Sequence, residues 1–426
     1  MSSLISSSPP RRGPPRPTGD LEAVALRIWR GAEGADFRGH DPYDGLHAPA
    51  LTPLLARSRL LRLAVIQGVK RSPLNLRPVL GVKPGLNPKG LALFMRGAAD
   101  LPALSPAHEI CQRLADMLVC LASQPDGAPA FGDRAIRNHA ADEFATGKLT
   151  IPGPIGWGYH FPWQAVAFQQ PPYFPTVVAT SFVVDAFAAA GHPAARRITE
   201  AAAFLVTECL HRHRDHTGVC FSYSPRDETR VYNASLFAAK ILARAAALGG
   251  SSAAAHAELA SEAAAWVAAR QQPDGSWLYG EASHWRWIDN LHTGFVLETL
   301  DFVGQALGTD IWSSVIESGL SWYRTVMFED DATARYYPER RYPLDPHSFA
   351  QAALTFLALD RRDPENRTFA RRILERAMEC LWNADRGIFV TRRSSLLTDR
   401  TPYLRWSQAW MFRALSALLA VEAAES

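Results

Sequence analysis

Gln272-Pro273-Asp274-Gly275-Ser276-Trp277-Leu278-Tyr279-Gly280, followed by the helix opening Leu291-His292-Thr293-Gly294, is the stretch that decides the fold. It follows an amphipathic run from Ser252 to Arg270. Proline cannot continue a helix and glycine takes positive φ freely, so Pro-Asp-Gly closes that run. A short aromatic segment then leads into a second, more apolar helix. The same block recurs along the chain. The other openings read Pro175-Thr176-Val177-Val178, Tyr232-Asn233-Ala234-Ser235, Pro346-His347-Ser348-Phe349 and Trp406-Ser407-Gln408-Ala409. From Thr176 to Asn233, His292, His347 and Ser407 the steps are 57, 59, 55 and 60 residues. A period of this size marks stacked copies of one supersecondary unit.

The first helix of each unit is amphipathic. Such stretches run over 106–123, 194–211, 252–270, 310–328 and 366–382. The second helices, near 176–190, 233–248, 292–306, 347–359 and 407–421, are apolar nearly all round, as helices covered on both sides must be. A sixth pair is expected at the N-terminal end, with Leu51 to Lys70 as its outer helix and Asn87-Pro88-Lys89-Gly90 opening the inner one. Six pairs predict an all-α fold, an (α/α)6 toroid with parallel inner helices and antiparallel outer ones. An open α-solenoid is the alternative. It fits less well, because the inner helices are too apolar and the terminal pairs have no polar cap. The Ser-, Pro- and Arg-rich residues 1–19 read as a disordered tail, and residues 20–426 as one toroid domain.

Composition removes several function classes. A formal net charge of +3 and the absence of any Lys/Arg-rich run argue against nucleic acid. No apolar window is long enough to span a membrane, and the N-terminus lacks the apolar core of a signal peptide. The five cysteines, Cys111, Cys120, Cys209, Cys220 and Cys380, fit no zinc spacing and read as reduced thiols of a cytoplasmic protein. There is no nucleophile elbow, phosphate-binding glycine loop, dinucleotide fingerprint or His-Glu-x-x-His, so no metal and no cofactor is implied.

Gln271-Gln272-Pro273-Asp274-Gly275-Ser276-Trp277, preceded by Ala265-Trp266, resembles the repeat motif of the terpenoid cyclase and protein prenyltransferase toroids. Gln124-Pro125-Asp126-Gly127 with Phe131 is a partial second copy. The number of helical hairpins is similar to that of six-hairpin glycosidases and the related polysaccharide lyases and sugar epimerases. The resemblance covers roughly residues 50–420 and implies the α/α-toroid superfamily. Its motif is structural and nearly silent on chemistry. The Asp-x-Asp-Asp acid of class II cyclases and the Asp-Asp-x-x-Asp of class I chemistry are absent. Asp215 and Cys220 do not match the zinc set of the prenyltransferases.

In a closed ring the inner-helix openings face one funnel. Asp289 and Asp345 lie one repeat apart, near His292 and His347. Paired carboxylates suit glycoside hydrolysis, and a His beside an acidic sugar suits proton abstraction by a lyase or epimerase. These four are the catalytic candidates. Lys89 and Arg405, with the converging helix N-termini, favour an anionic group. Tyr159 and Trp163 are expected as a sugar platform. Gln164, Tyr232, Asn233, Trp287, Asn290, Tyr403, Trp406 and Gln408 complete the substrate-binding set. Each has a plainer reading. Asp345 before Pro346, and Asp289 before His292, have the form of helix N-caps, and the histidines can simply bond to neighbouring turns. Tyr223, Tyr279 and Tyr337 read as core. The expectation is an enzyme acting on an acidic polysaccharide or its precursor, as hydrolase, lyase or epimerase. The alternatives are a terpenoid or prenyl-group enzyme and a non-catalytic glycan-binding or assembly factor. The sequence does not fix the oligomeric state. The loop Arg38 to Leu46 is expected either to cover the site or to lace the first pair onto the last, with lacing favoured.

Overall fold

The computed structural model describes residues 20–51, 55, 58–72, 74–150, 153–164 and 169–425. The expected tail over 1–19 lies outside the described residues. The chain begins with α1 (Leu21–Gly34), then α2 (Arg59–Arg71) and α3 (Pro88–Asp100). Five hairpins follow, each an outer helix and then an inner one. They are α4 (Ala107–Cys120) with α5 (Val177–Ala189), and α6 (Ala195–Cys209) with α7 (Tyr232–Ala247). Next come α8 (Ala253–Ala268) with α9 (Asn290–Leu307), and α10 (Ser313–Val326) with α11 (Pro346–Ala358). The last pair is α12 (Glu365–Leu381) with α13 (Trp410–Ala423).

The inner helices α3, α5, α7, α9, α11 and α13 each pack on the next, and α13 packs on α3, so the ring closes. This is an α/α toroid. The strands among the described residues are short antiparallel pairs, such as Arg212–Asp215 with Gly218–Phe221. The inner helices are buried on nearly every face because both neighbours in the ring and an outer helix cover them. Their first turns line one cavity, through Lys89, Val178, Asn233, His292 and His347. Residues near their C-terminal ends, including Asp100, Ala358 and Val421, line another. The inner helices therefore run parallel. Midway, the bore is blocked by the rings of Phe182, Phe237, Phe295 and Trp410, with neighbouring centroids 5.3–6.0 Å apart.

The repeat motif works as a tie between units. The Gln271 side-chain amide donates to Gly275 O in its own turn (3.0 Å) and to Val315 O in α10 (2.8 Å). Trp277, 2% exposed, donates its indole N–H to Val267 O at the end of α8 (3.0 Å). Gly275 has φ +95°, and a Cβ there would meet Ser318 O at 2.6 Å, so both backbone sterics and the neighbouring helix require glycine.

One element differs from expectation. The first outer helix is α1, whose Trp29 packs against Phe94 of α3 and Phe412 of α13 and covers the seam where the ring closes. The Leu51 to Lys70 stretch is not that helix. Its helical part, α2, lies over the funnel, which it lines with Leu63, Ile66, Gln67 and Lys70. An amphipathic stripe records that one face is covered, not what covers it.

Candidate active site

The funnel encloses a cavity of about 420 Å³, in the range of small-molecule sites. Four catalytic candidates stand at its helix openings. Asp289 is the N-cap of α9, and its carboxylate accepts the backbone N–H of His292 (2.8 Å). Both of its oxygens also lie 2.8 Å from His292 Nδ1. A carboxylate only accepts, so the Nδ1 proton points at it and Nε2 is left basic. His292 is partly exposed, in contact with the rings of Tyr279 and Trp287. Asp345 caps α11 and accepts the backbone N–H of His347 (2.9 Å). Both its oxygens take the Trp406 indole N–H, at 3.1 and 3.0 Å. Burial pushes its carboxyl up to about 6 against these bonds. Asp345 faces a smaller neighbouring cavity and not the funnel itself. His347 stacks on Trp410 (4.2 Å), and among the described residues neither ring nitrogen has a hydrogen-bond partner. Burial first, then Lys89, Arg405 and His292, hold it well below the usual histidine range, so the ring is neutral. Both carboxylates thus do act as caps, and Asp289 also orients a histidine.

Lys89 is 3% exposed at the funnel floor, with Nζ over the rings of Phe182 (4.1 Å), Trp410 (5.1 Å) and Phe295 (5.3 Å). Burial and then Arg405 lower its pKa well below the usual lysine range. Arg405 sits in a π-helical turn, Leu404–Ala409, that opens α13. The wider turn turns both Arg405 and Trp406 to the funnel, and such turns recur at functional sites. The guanidinium is clamped by Asp41 through Nε–Oδ2 (2.5 Å) and Nη2–Oδ1 (2.9 Å). Burial works against its charge, but Asp41 outweighs that and raises its pKa.

The other expected binding residues divide. Tyr159, Trp163, Gln164, Asn233, Trp287 and Trp406 line the funnel. Tyr159 bonds to Tyr223 between hydroxyls (3.2 Å), and Asn233 Oδ1 is buried without a partner among the described residues. Tyr232, Asn290, Tyr403 and Gln408 lie off the funnel wall. Tyr232 packs on Trp266. Asn290 accepts the Tyr323 hydroxyl (2.8 Å). Tyr403 accepts from Arg77 (2.8 Å). Gln408 bonds both ways to the Phe389 backbone (3.0 and 2.8 Å). A helix opening exposes only some of its first-turn side chains to the bore, and these four point back between repeats.

Sequence reasoning missed part of the wall. Tyr223, Tyr279 and Tyr337, read as core, all line the funnel, as do Tyr336 and Trp285. It also missed the roof. Lys70 of α2 donates to the Tyr43 hydroxyl (2.5 Å), and Arg62 donates to Gln164 Oε1 (2.8 Å) on the opposite wall. The loop before α2 is fixed by a buried charge network. Arg77 donates to Asp44 Oδ1 (2.5 Å), to Asp41 O (2.7 Å) and to Tyr403 Oη. The Arg38 to Leu46 loop therefore laces the N-terminal unit onto the last repeat, and in doing so sets Tyr43 over the site. Among the described residues no cluster of three or more His, Cys, Asp or Glu could hold a metal ion. All five cysteines are free thiols. No helix among the described residues is long and apolar enough to cross a membrane.

A ring of six inner helices with one funnel at their N-terminal ends defines the class of the molecule, the α/α toroids, and solved toroids superpose on it. One is the cellobiose 2-epimerase of Bacillus thermoamylovorans B4167, with a TM-score of 0.56 and 9% identity over 79% of this chain and 88% of that one. Another is the cellobiose 2-epimerase of Spirochaeta thermophila DSM 6192, with a TM-score of 0.54 and 13% identity over 81% and 89%. A third is a GH76 α-mannanase of Bacteroides thetaiotaomicron, with a TM-score of 0.53 and 11% identity over 80% and 88%. At such identities the likeness is one of fold. No family model matches the sequence, and no curated protein matches it.

Proposed function

We propose that the funnel is the active site of an enzyme acting on an acidic carbohydrate, moving a proton at a carbon next to a carbonyl or carboxylate group. One observation carries this reading. His292 and His347, from equivalent first turns of adjacent inner helices, line one cavity and both lie against Phe295, at centroid distances of 6.0 and 6.2 Å from its ring. Among the described residues of that lining Asp289 is the sole carboxylate, and it is engaged by His292. In this reading His292 Nε2 takes the proton from carbon, and the electron pair moves onto the substrate oxygen. Arg405 and Lys89 favour that negative charge, and neutral His347 offers an N–H as a hydrogen-bond donor. Return of a proton to the opposite face gives an epimer; loss of a substituent from the next carbon gives an unsaturated sugar. Two-carboxylate hydrolysis has less support, because Asp345 holds Trp406 and faces the side cavity. The fold shared with sugar epimerases and a mannanase fits the same substrate class.

A terpenoid or prenyl-group enzyme is the second reading, favoured by the aromatic lining of Tyr159, Tyr223, Tyr279, Trp287, Tyr336 and Trp406. The Arg405 guanidinium in the same lining opposes it, since a fixed cation disfavours a carbocation. Thermal stabilisation against two ligand panels separates the readings, because a ligand that binds only the folded state raises its midpoint. Uronic-acid oligosaccharides are expected to raise it and prenyl diphosphates to leave it unchanged. The reverse pattern sinks the carbohydrate reading. Stabilisation by sugars with no turnover makes the protein a glycan-binding factor.

A further inference from the structure

The funnel roof carries a feature that the funnel itself does not use. From Gly45 to Ala99 the sequence holds no Asp or Glu, against nine Lys and Arg. Within this stretch Leu60, Leu74 and Val79 are 78%, 71% and 87% exposed. Arg71 and Lys83 are exposed as well. The inward side of the same segment is pinned by Arg77, which is fully buried on Asp44, so the outward apolar residues are held in place. A second element repeats the pattern. The loop between the strands Arg392–Arg393 and Thr398–Asp399 projects Leu396 and Leu397, at 91% and 60% exposure, with two serines between them and the arginines. The two elements adjoin. Lys70 and Arg71 form one side of the cleft beside the funnel, and Thr391, Arg392 and Asp399 the other.

We infer that this face, at the mouth of the funnel, docks on the surface of an anionic lipid bilayer. Exposed aliphatic side chains in segments where Lys and Arg outnumber carboxylates suit insertion between acyl chains with the cations at the headgroups. A protein partner is matched more commonly by a flat patch with aromatic anchors. Docked so, the funnel opens toward the headgroup layer, where membrane-borne substrates are found. The inference stands on exposure and charge alone and does not depend on which sugar the funnel takes.

The test is co-sedimentation of the full chain with vesicles, either of phosphatidylcholine alone or with one third phosphatidylglycerol, with no sugar present. The protein is expected to pellet with the anionic vesicles only, and to be released by high salt. The triple variant Leu74→Asp, Val79→Asp, Leu396→Asp is expected to bind at least tenfold more weakly with an unchanged melting midpoint. Wild-type protein that stays in the supernatant with both vesicles overturns the inference, as does a triple variant that binds equally well. Concentration-dependent dimers in sedimentation velocity, abolished by the same triple variant, would reassign the face to a second copy of the chain. Failure here leaves the sugar-panel result standing, so the two readings fall separately.

Discussion

Asp345 and His347 are neighbours in sequence whose titrations pull stability in opposite directions. Asp345 stays protonated in the folded state up to about pH 6 while the unfolded chain has released that proton near pH 4, so its contribution is largest at acid pH and falls as pH rises through 6. The effect is on the order of 3 kcal/mol. His347 is held neutral, so the unfolded chain gains a proton the folded one refuses, and stability falls as pH drops below the ordinary histidine value near 6.5. Melting curves between pH 4 and 7 are expected to show the Asp345→Asn variant losing stability more steeply on acidification than wild type. Parallel curves would show that the two groups do not titrate as placed. At the floor, Lys89→Met preserves contact with three aromatic rings but removes the amine and its hydrogen-bond donors. It is expected to raise KM for an acidic sugar at least tenfold, with less effect on a neutral one. A place on the funnel was legible where a polar group opens a predicted inner helix, as for Asp289, His292 and Lys89. They were not legible for Tyr223 or Tyr279, because a cavity wall and a packed core give the same apolar periodicity, and only closure of the ring distinguishes them.

At the scale of elements, the hairpins were visible in the sequence because each carries its own stop signal, and Gly275 shows how strict that signal is. Gly275→Ala is expected to cost on the order of 1–3 kcal/mol in urea unfolding, from a strained φ and a contact with the backbone of α10. A cost near zero would mean that α10 moves aside freely. What the sequence did not reveal is the insertion between α1 and α3. Its helix α2 has the stripe of an outer helix, and the loops around it are polar in sequence but buried through ion pairs between distant residues, as with Arg405 and Asp41. Removing one member of such a buried set strands the others. Arg77→Met is expected to destabilise by about 3–5 kcal/mol, and Asp44→Leu added to it to restore part of that loss. Absence of any rescue would contradict the pairing.

At the scale of the whole molecule, ring closure makes every unit depend on two neighbours, and α1 seals the last seam. We therefore propose that residues 20–426 unfold as one cooperative unit. Limited proteolysis is expected to trim the ends and spare the repeats, whereas stable half-rings would contradict this. Closure also brings His292 and His347, two repeats of one sequence position, against one ring, Phe295, in the cavity that Lys89 and Arg405 line. The most direct measurement of the account is turnover of uronic-acid-containing oligosaccharides in D2O, followed by NMR and mass spectrometry. The account predicts deuterium at the carbon beside the carbonyl or carboxylate in an epimerised product, or a new carbon–carbon double bond at that carbon in an unsaturated one, with the rate lowered at least about 100-fold in the His292→Asn variant. Glycosidic cleavage with neither deuterium on carbon nor a new double bond, at a rate the His292→Asn variant retains, would contradict it.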